Sequence, residues 1–237
     1  MEASGIVKDL GSGAAQMRAL RGVDLLLKGG ELTLLMGPSG SGKTTLLSIL
    51  GCMLTPTEGT VRVRGDSIAG KAPEALAKLR RENIGFVFQS YHLFPTLTAA
   101  DNVRLSLDVR GETGKSAKER SRAALARVGL SDKMKNYPRQ LSGGEQQRVA
   151  IARAVVNGPS VILADEPTAA LDSENGKAIM GILAEIAKDP GRGVLVVTHD
   201  PRLVPFADRI VHIEDGHIVR EESGGAARTL KDILGTA

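Results

Sequence analysis

Apolar runs of strand length alternate with amphipathic stretches along most of this chain. Strand-like runs lie at residues 17–27, 31–36, 84–88, 161–164, 194–198 and 209–213. Val61 and Val63 alternate with Arg62 and Arg64, as expected for a half-buried strand. Helical patterns occupy residues 45–50, 73–81 and 176–187. This alternation predicts an α/β fold with a mainly parallel sheet covered by helices.

The segment between residues 95 and 157 differs from the rest, because its pattern is helical. Residues 99–136 carry charged faces and few β-branched side chains, and a helix is predicted from residue 142 to 156. We therefore expect a helical subdomain at about 95–157, inside a single domain that spans residues 1–237. In the C-terminal tail, residues 223–237, we expect a short amphipathic helix at 228–234.

Composition and charge exclude several classes of protein. The net charge is +4, but lysine and arginine are scattered, which favours a solvated surface over a nucleic-acid-binding face. The single cysteine, Cys52, excludes an intrachain disulfide and fits a reducing compartment. No run approaches the roughly 18 apolar residues of a membrane span, and residues 1–13 lack a secretory-signal pattern. We expect a cytoplasmic protein without a nucleic-acid partner, whose membrane role comes through another protein.

The strongest motif is GPSGSGKT at residues 37–44, which fits the phosphate-binding pattern G-x-x-x-x-G-K-[ST]. It lies between a predicted strand and a predicted helix, where backbone N–H groups and the helix N-terminus bind phosphate. We expect Lys43 to reach the β- and γ-phosphates and the Thr44 hydroxyl to bind Mg²⁺. The predicted nucleotide contacts are Gly37, Ser39, Gly40, Ser41, Gly42, Lys43, Thr44 and Thr45.

A second motif places two carboxylates after a buried strand. Residues 161–164 are apolar, and Asp165 and Glu166 follow them directly. The strand would bring Asp165 to a Mg²⁺ contact at its C-terminal end. Glu166 is then the candidate general base that activates water for attack on the γ-phosphate. Two acids after a strand form a weak motif alone, but a strong one behind a phosphate-binding loop.

A third motif, LSGGEQQR at residues 141–148, resembles the signature sequence of ABC (ATP-binding cassette) ATPases. Physically it is a second anion site, built from the Ser142 hydroxyl and the amides of Gly143 and Gly144 at a helix start. The resemblance implies a P-loop core, an N-terminal antiparallel β-subdomain and an inserted α-helical subdomain. It also implies that this motif contacts the ATP of a second subunit, so that two ATP molecules are sandwiched in a dimer.

Further residues match this family in order and extend the resemblance over about residues 5–222. Gln89 resembles the glutamine that senses Mg²⁺ and links the core to the helical subdomain. Asp172 resembles the D-loop aspartate at the dimer interface, and His199 resembles the switch histidine that contacts the γ-phosphate. The family usually stacks an aromatic residue on adenine, and here the matching position is Leu10. We expect a weaker adenine contact and a relaxed preference between ATP and GTP.

Several motifs, among them residues 85–93 and 164–172, are most similar to ATPases of the MacB, LolD and DevA type. This resemblance implies an ATPase on the inner face of the cytoplasmic membrane, working with a permease that has a large periplasmic domain. A periplasmic adaptor and an outer-membrane channel join such permeases in many systems. The residues left three alternatives open: a mechanotransmitting ATPase similar to FtsE, a soluble ABC ATPase, and an importer ATPase.

Overall fold

The computed structural model describes residues 1–13 and 16–225, so the predicted helix at 228–234 lies outside the described residues. Ten strands alternate with six α-helices in this part of the chain. The strands are β1 (Glu2–Leu10), β2 (Met17–Leu26), β3 (Glu31–Met36), β4 (Glu58–Val63), β5 (Asp66–Ser67), β6 (Ile84–Val87), β7 (Val161–Asp165), β8 (Gly193–Thr198), β9 (Arg209–Glu214) and β10 (His217–Ser223). The helices are α1 (Lys43–Leu50), α2 (Pro73–Asn83), α3 (Ala99–Asp108), α4 (Gly114–Arg127), α5 (Gly143–Val155) and α6 (Ser173–Ala187). Short 3-10 helices lie at Pro138–Gln140 and Pro201–Phe206.

Two sheets organise the strands. The smaller is antiparallel with the order β2-β1-β4-β5. The larger has the order β10-β9-β3-β8-β7-β6 and is parallel except between β9 and β10. The predicted α/β class with a mainly parallel sheet is therefore correct. The chain leaves this sheet after β6, forms α3, α4 and α5, which pack on one another, and returns as β7.

The central strands are apolar throughout because both of their faces are buried. Leu34 belongs to the core on the side of α3–α6, while its neighbour Leu35 belongs to the core shared with α1 and the antiparallel sheet. In β8, Val196 belongs to the first of these two cores and Val197 to the second. Among the described helices, none is both long and apolar enough to cross a membrane.

Three strands were not predicted from the sequence: β1, β10 and the two-residue strand β5, which is too short to show a period of two. In β1, Gly5 adopts a φ of 59° and the pairing register shifts on either side of Ile6, so the bulge breaks the period of two. β10 is a largely exposed edge strand with few apolar positions. Helix α1 begins at Lys43 rather than at residue 45, and α6 at Ser173 rather than at residue 176, because both helices start inside polar motifs whose first turns carry no apolar pattern.

Candidate nucleotide-binding site

A cleft forms where four parallel strands end. The loop after β3 carries the glycine-rich motif, and the ends of β6, β7 and β8 carry Gln89, Asp165 and His199. Because parallel strands share one carboxyl edge, these residues meet although they lie far apart in the chain. The cavity has a volume of about 650 Å³ and is lined by Leu10, Met17, Ala19, Pro38, Ser39, Gly40, Gly42, Lys43, Thr44, Thr45, Gln89, Asp165, Glu166, Ala169, Val197 and His199.

The N-terminus of α1 opens into this cleft with its backbone donors available. The N-cap residue Gly42 is left-handed at a φ of 99°, it makes no side-chain cap, and the first turn contains no acidic residue. The first N–H groups of a helix have no partner within the helix, and they attract anions. A Cβ on Gly42 would lie only 2.7 Å from the Ala19 carbonyl oxygen, so glycine is required for this approach.

Lys43 is a buried cation held over the loop. Its Nζ donates hydrogen bonds to the carbonyl oxygens of Gly37 (2.7 Å) and Pro38 (2.6 Å). Burial lowers the pKa of Lys43, and the charges of Glu166 and Asp165 oppose that change. In the same loop, the buried Ser41 Oγ has no hydrogen-bond partner among the described residues. The buried ammonium group suits a loop that receives a polyanion, which would offset its desolvation, whereas Ser41 and Gly37 of the same motif do not line the cleft.

The two carboxylates after β7 have different surroundings. Burial raises the pKa of Asp165, the neighbouring charge of Glu166 adds to the rise, and Lys43 opposes it. The backbone of Glu166 is left-handed, with a φ of 45°, and its N–H donates to the Val197 carbonyl at 3.0 Å. Its Oε1 lies 2.6 Å from Nδ1 of His199, whose side chain is 72% exposed. The structure therefore joins the predicted base and the predicted switch histidine in one pair.

The donor set of the cleft fits magnesium. Thr44, Gln89 and Asp165 all line it and carry oxygen donors, which Mg²⁺ prefers. In the described part of the chain, no group of three or more His, Cys, Asp or Glu side chains forms a ready metal cage. Mg²⁺ in nucleotide sites characteristically uses one or two protein ligands, phosphate oxygens and water, so the half-buried carboxylate of Asp165 and the hydroxyl of Thr44 suit it.

The signature residues lie outside this cleft. Ser142 caps α5: its Oγ accepts from the Glu145 N–H at 3.3 Å, and Glu145 Oε2 accepts from the Ser142 N–H at 2.8 Å. Asp172 caps α6 and accepts two hydrogen bonds from Asn175, which lower its pKa. Within one chain, Ser142, Gly143, Gly144 and Asp172 therefore do not contribute to the lining of the P-loop cleft.

The rim of the cleft contains residues that the sequence motifs did not indicate. Met17 pairs with Leu10 across the β1–β2 hairpin, and Ala19 follows on the same strand. Met17 is 61% exposed, so an unbranched thioether stands beside the leucine at this end of the cleft. Ala169 and Val197 complete the lining near Glu166. The period-two pattern of β2 would have placed Met17 and Ala19 on one face, but no motif points to them.

A phosphate-binding loop between strand and helix, facing a strand-borne Asp-Glu pair, defines a P-loop nucleoside triphosphatase. The sequence model described as ABC transporter matches residues 20–169. The chain is 42% identical to the dimeric ATP-binding cassette MJ0796 bound to ADP and Pi, with a TM-score of 0.84, over 94% of this chain and 97% of that one. It therefore belongs to the ABC transporter family and is an ABC ATPase that binds ATP.

Among curated proteins, the chain resembles macrolide export ATP-binding/permease proteins MacB. It is 48% identical to the one from Salmonella typhi over 219 residues, 92% of this chain and 34% of that protein. It is 45% identical to the one from Psychrobacter arcticus over 221 residues, 93% and 33% of the two chains. The chain thus spans about a third of the length of these curated relatives, and the match identifies a cassette of MacB type.

Proposed function

We propose that this chain is the ATP-hydrolysing component of an export system, in which ATP-driven dimerisation and hydrolysis drive a MacB- or DevA-like membrane permease. The observation that carries the proposal is the Glu166–His199 pair at 2.6 Å, which lines the same cleft as the phosphate-binding loop. A base held by an orienting partner beside a phosphate site is what hydrolysis of the γ-phosphate requires.

The residues of the cleft have different roles in the proposed reaction. The amides of residues 39–45 and the Lys43 ammonium bind the phosphates and balance the charge that develops on them. Glu166 accepts the proton of the attacking water, while His199 orients Glu166 and reaches the γ-phosphate. Mg²⁺, when bound, neutralises phosphate charge, and Thr44, Gln89 and Asp165 are the residues we assign to hold it. Leu10 and Met17 offer the adenine ring of ATP an aliphatic and a thioether contact instead of an aromatic one.

A second copy of the chain completes the site. Ser142, Gly143, Gly144 and Asp172 do not line the P-loop cleft of their own chain, so we assign them to the ATP bound by the partner copy. The hydroxyl of Ser142 accepts a bond from Glu145, and its own hydrogen remains free to donate to a phosphate. This head-to-tail arrangement makes ATP part of the dimer interface.

A groove beside α3 fits the proposed permease contact. Phe94 and Val109 line it and are 51% and 59% exposed, which is unusual for large apolar side chains on one patch. Arg80, Arg81 and Arg153 line the same groove, and among the described residues no carboxylate does. An amphipathic cytoplasmic segment with acidic residues would suit this surface. The cassette would then lie on the inner face of the cytoplasmic membrane, with an adaptor and an outer-membrane channel reached through the permease.

Affinity purification from detergent-solubilised native membranes tests this proposal. The tagged chain should recover a permease with a large periplasmic domain, and Phe94→Asp should abolish that recovery. Val219→Asp is the matched control, because Val219 is 54% exposed on β10 and lies outside the groove. Recovery of cell-division or wall-hydrolase proteins would replace the export function by mechanotransmission. Equal recovery with both variants would contradict the assignment of the groove.

A further inference from the structure

The segment that follows Gln89 has an unusual backbone. Tyr91 and His92 are consecutive non-glycine residues with φ values of 59° and 47°. Non-glycine residues avoid this left-handed region and keep it only when surrounding contacts impose it. The Tyr91 N–H donates to the Phe88 carbonyl and the His92 N–H to the Ser90 carbonyl, which makes a tight double turn.

Arg153 holds this double turn, and Asn102 holds Phe94 just after it. The guanidinium of Arg153, on α5, donates to the carbonyl oxygens of Tyr91 (2.7 Å) and His92 (2.5 Å). The fully buried Asn102, on α3, accepts from the Phe94 N–H at 2.8 Å and donates to the Phe94 carbonyl at 3.1 Å. The segment is therefore fixed to the same helix that carries the signature motif at its start.

The Tyr91 side chain reaches that start directly. A Cβ added to Gly143, the first residue of α5, would lie 2.9 Å from the Tyr91 hydroxyl and 3.4 Å from Leu171 Cδ2. Gly143 is thus enclosed between the segment after Gln89 and the loop before α6. Gln89 lines the P-loop cleft, and two residues later Tyr91 packs against Gly143, one of the residues assigned to the partner's ATP.

We propose that Tyr91 is a positioning residue for the signature motif, and that Arg153 holds Tyr91 in place. A change at Gln89 or in the groove beside Phe94 then reaches Gly143 through one side chain, without passing through the P-loop. The inference rests on the proposed ATP-dependent dimer, in which Ser142–Gly144 contact the nucleotide of the other copy.

A double-mutant cycle tests this contact. Gly143→Ala, Tyr91→Phe and their combination are made in a Glu166→Gln background, and ATP-driven dimerisation is measured by analytical ultracentrifugation. Overpacking by the new methyl group should weaken dimerisation by about 5- to 150-fold in Gly143→Ala. Tyr91→Phe should restore most of this loss, because the next atom of that side chain, Cζ, lies 3.9 Å away. ATP affinity of the monomeric chain should stay the same in all variants, which a general folding defect would not allow.

Gly176→Ala on α6 is the matched control, since its Cβ would make an ordinary contact of 3.6 Å with Thr168. Additive effects of the two substitutions, or normal dimerisation of Gly143→Ala, would overturn the role of Tyr91. If the Glu166→Gln parent binds ATP and still does not dimerise, the proposed dimer itself is wrong and this inference falls with it. The parent measurement therefore separates the two failures.

Discussion

The molecule begins two helices at anion-binding motifs, and the two starts are built differently. At α1 the N-cap is Gly42, there is no side-chain cap, and no acid lies in the first turn. At α5 the N-cap is Ser142, which forms a capping box with Glu145. The hydrogen bond from the Ser142 N–H lowers the pKa of Glu145, and this carboxylate lies in the first turn of α5.

From this difference we expect only one of the two motifs to bind nucleotide in a single chain. The start of α1 has free donors and the nearby ammonium of Lys43, so one chain suffices to hold phosphate there. The start of α5 already uses the N–H groups of Ser142 and Glu145 in its capping box and carries the negative charge of Glu145, which weakens its attraction for a free anion. It can add to binding when the other copy brings ATP to it. We therefore expect the affinity for ATP to depend on the first motif and dimerisation to depend on the second.

The largest effect is expected from Glu166→Gln, which should hold the chain in the dimeric state in which both motifs contact ATP. Glu166→Gln should lower ATP hydrolysis by about 10²- to 10⁴-fold, because the base is removed while the phosphate contacts remain. ATP should still bind and should drive a stable dimer. Phosphate release and sedimentation would measure the two properties, with Glu119→Gln on the exposed face of α4 as control. Near-normal turnover would remove Glu166 from its role.

Lys43→Ala tests the first motif. Loss of a charge-assisted contact, worth about 1.5–3 kcal/mol, should weaken ATP binding by roughly 10- to 150-fold. Titration calorimetry with the isolated chain measures it, and Lys78→Ala, an exposed lysine on α2, should bind as the unaltered chain does. Unchanged affinity in Lys43→Ala would contradict the assignment of the loop.

Ser142→Ala tests the second motif. ATP affinity of the single chain should not change, while dimerisation in the Glu166→Gln background should weaken. Loss of the cap should also cost about 0.5–2 kcal/mol of stability, and the low end is expected for a bond of 3.3 Å. Thr98→Ala removes a comparable cap from α3 and should cost stability without affecting dimerisation. Weaker ATP binding by the single Ser142→Ala chain would contradict the proposed difference between the two motifs.

The smallest expected effect is on the free energy of unfolding, through Asp165 at the carboxyl end of β7. Because the folded chain raises the pKa of Asp165, its ionised form is less favourable in the native state than in the unfolded state. Below the pKa that Asp165 has in the unfolded chain, this carboxyl costs no stability, because it is protonated in both states. The cost appears as the pH rises through the pKa that Asp165 has in the folded chain. Asp165→Asn should therefore raise the Tm of the nucleotide-free chain at neutral pH, and the gain should shrink near about pH 4. Asp132→Asn, at an exposed position, should show neither change.

Some of the candidate site can be predicted from sequence because its chemistry is local. GPSGSGKT encodes a turn, free amides and a cation within eight residues, and LSGGE encodes a capped helix start. Met17 could not be predicted in this way, because it enters the cleft only through its pairing with Leu10 across the hairpin. The strand at Glu2–Leu10 was hidden for a related reason, since its bulge at Gly5 breaks the pattern that identifies strands.

The α/β class, the phosphate-binding loop, the Asp165-Glu166 pair and the family follow from the amino-acid sequence, because each depends on residue types at short spacing. The contact of Glu166 with His199, 33 residues away, and that of Tyr91 with Gly143 follow from the folding of distant elements onto one another. Those contacts depend on where parallel strands end and on how α5 packs against the segment after β6. Packing of distant elements sets such distances, and no local pattern of residues encodes them.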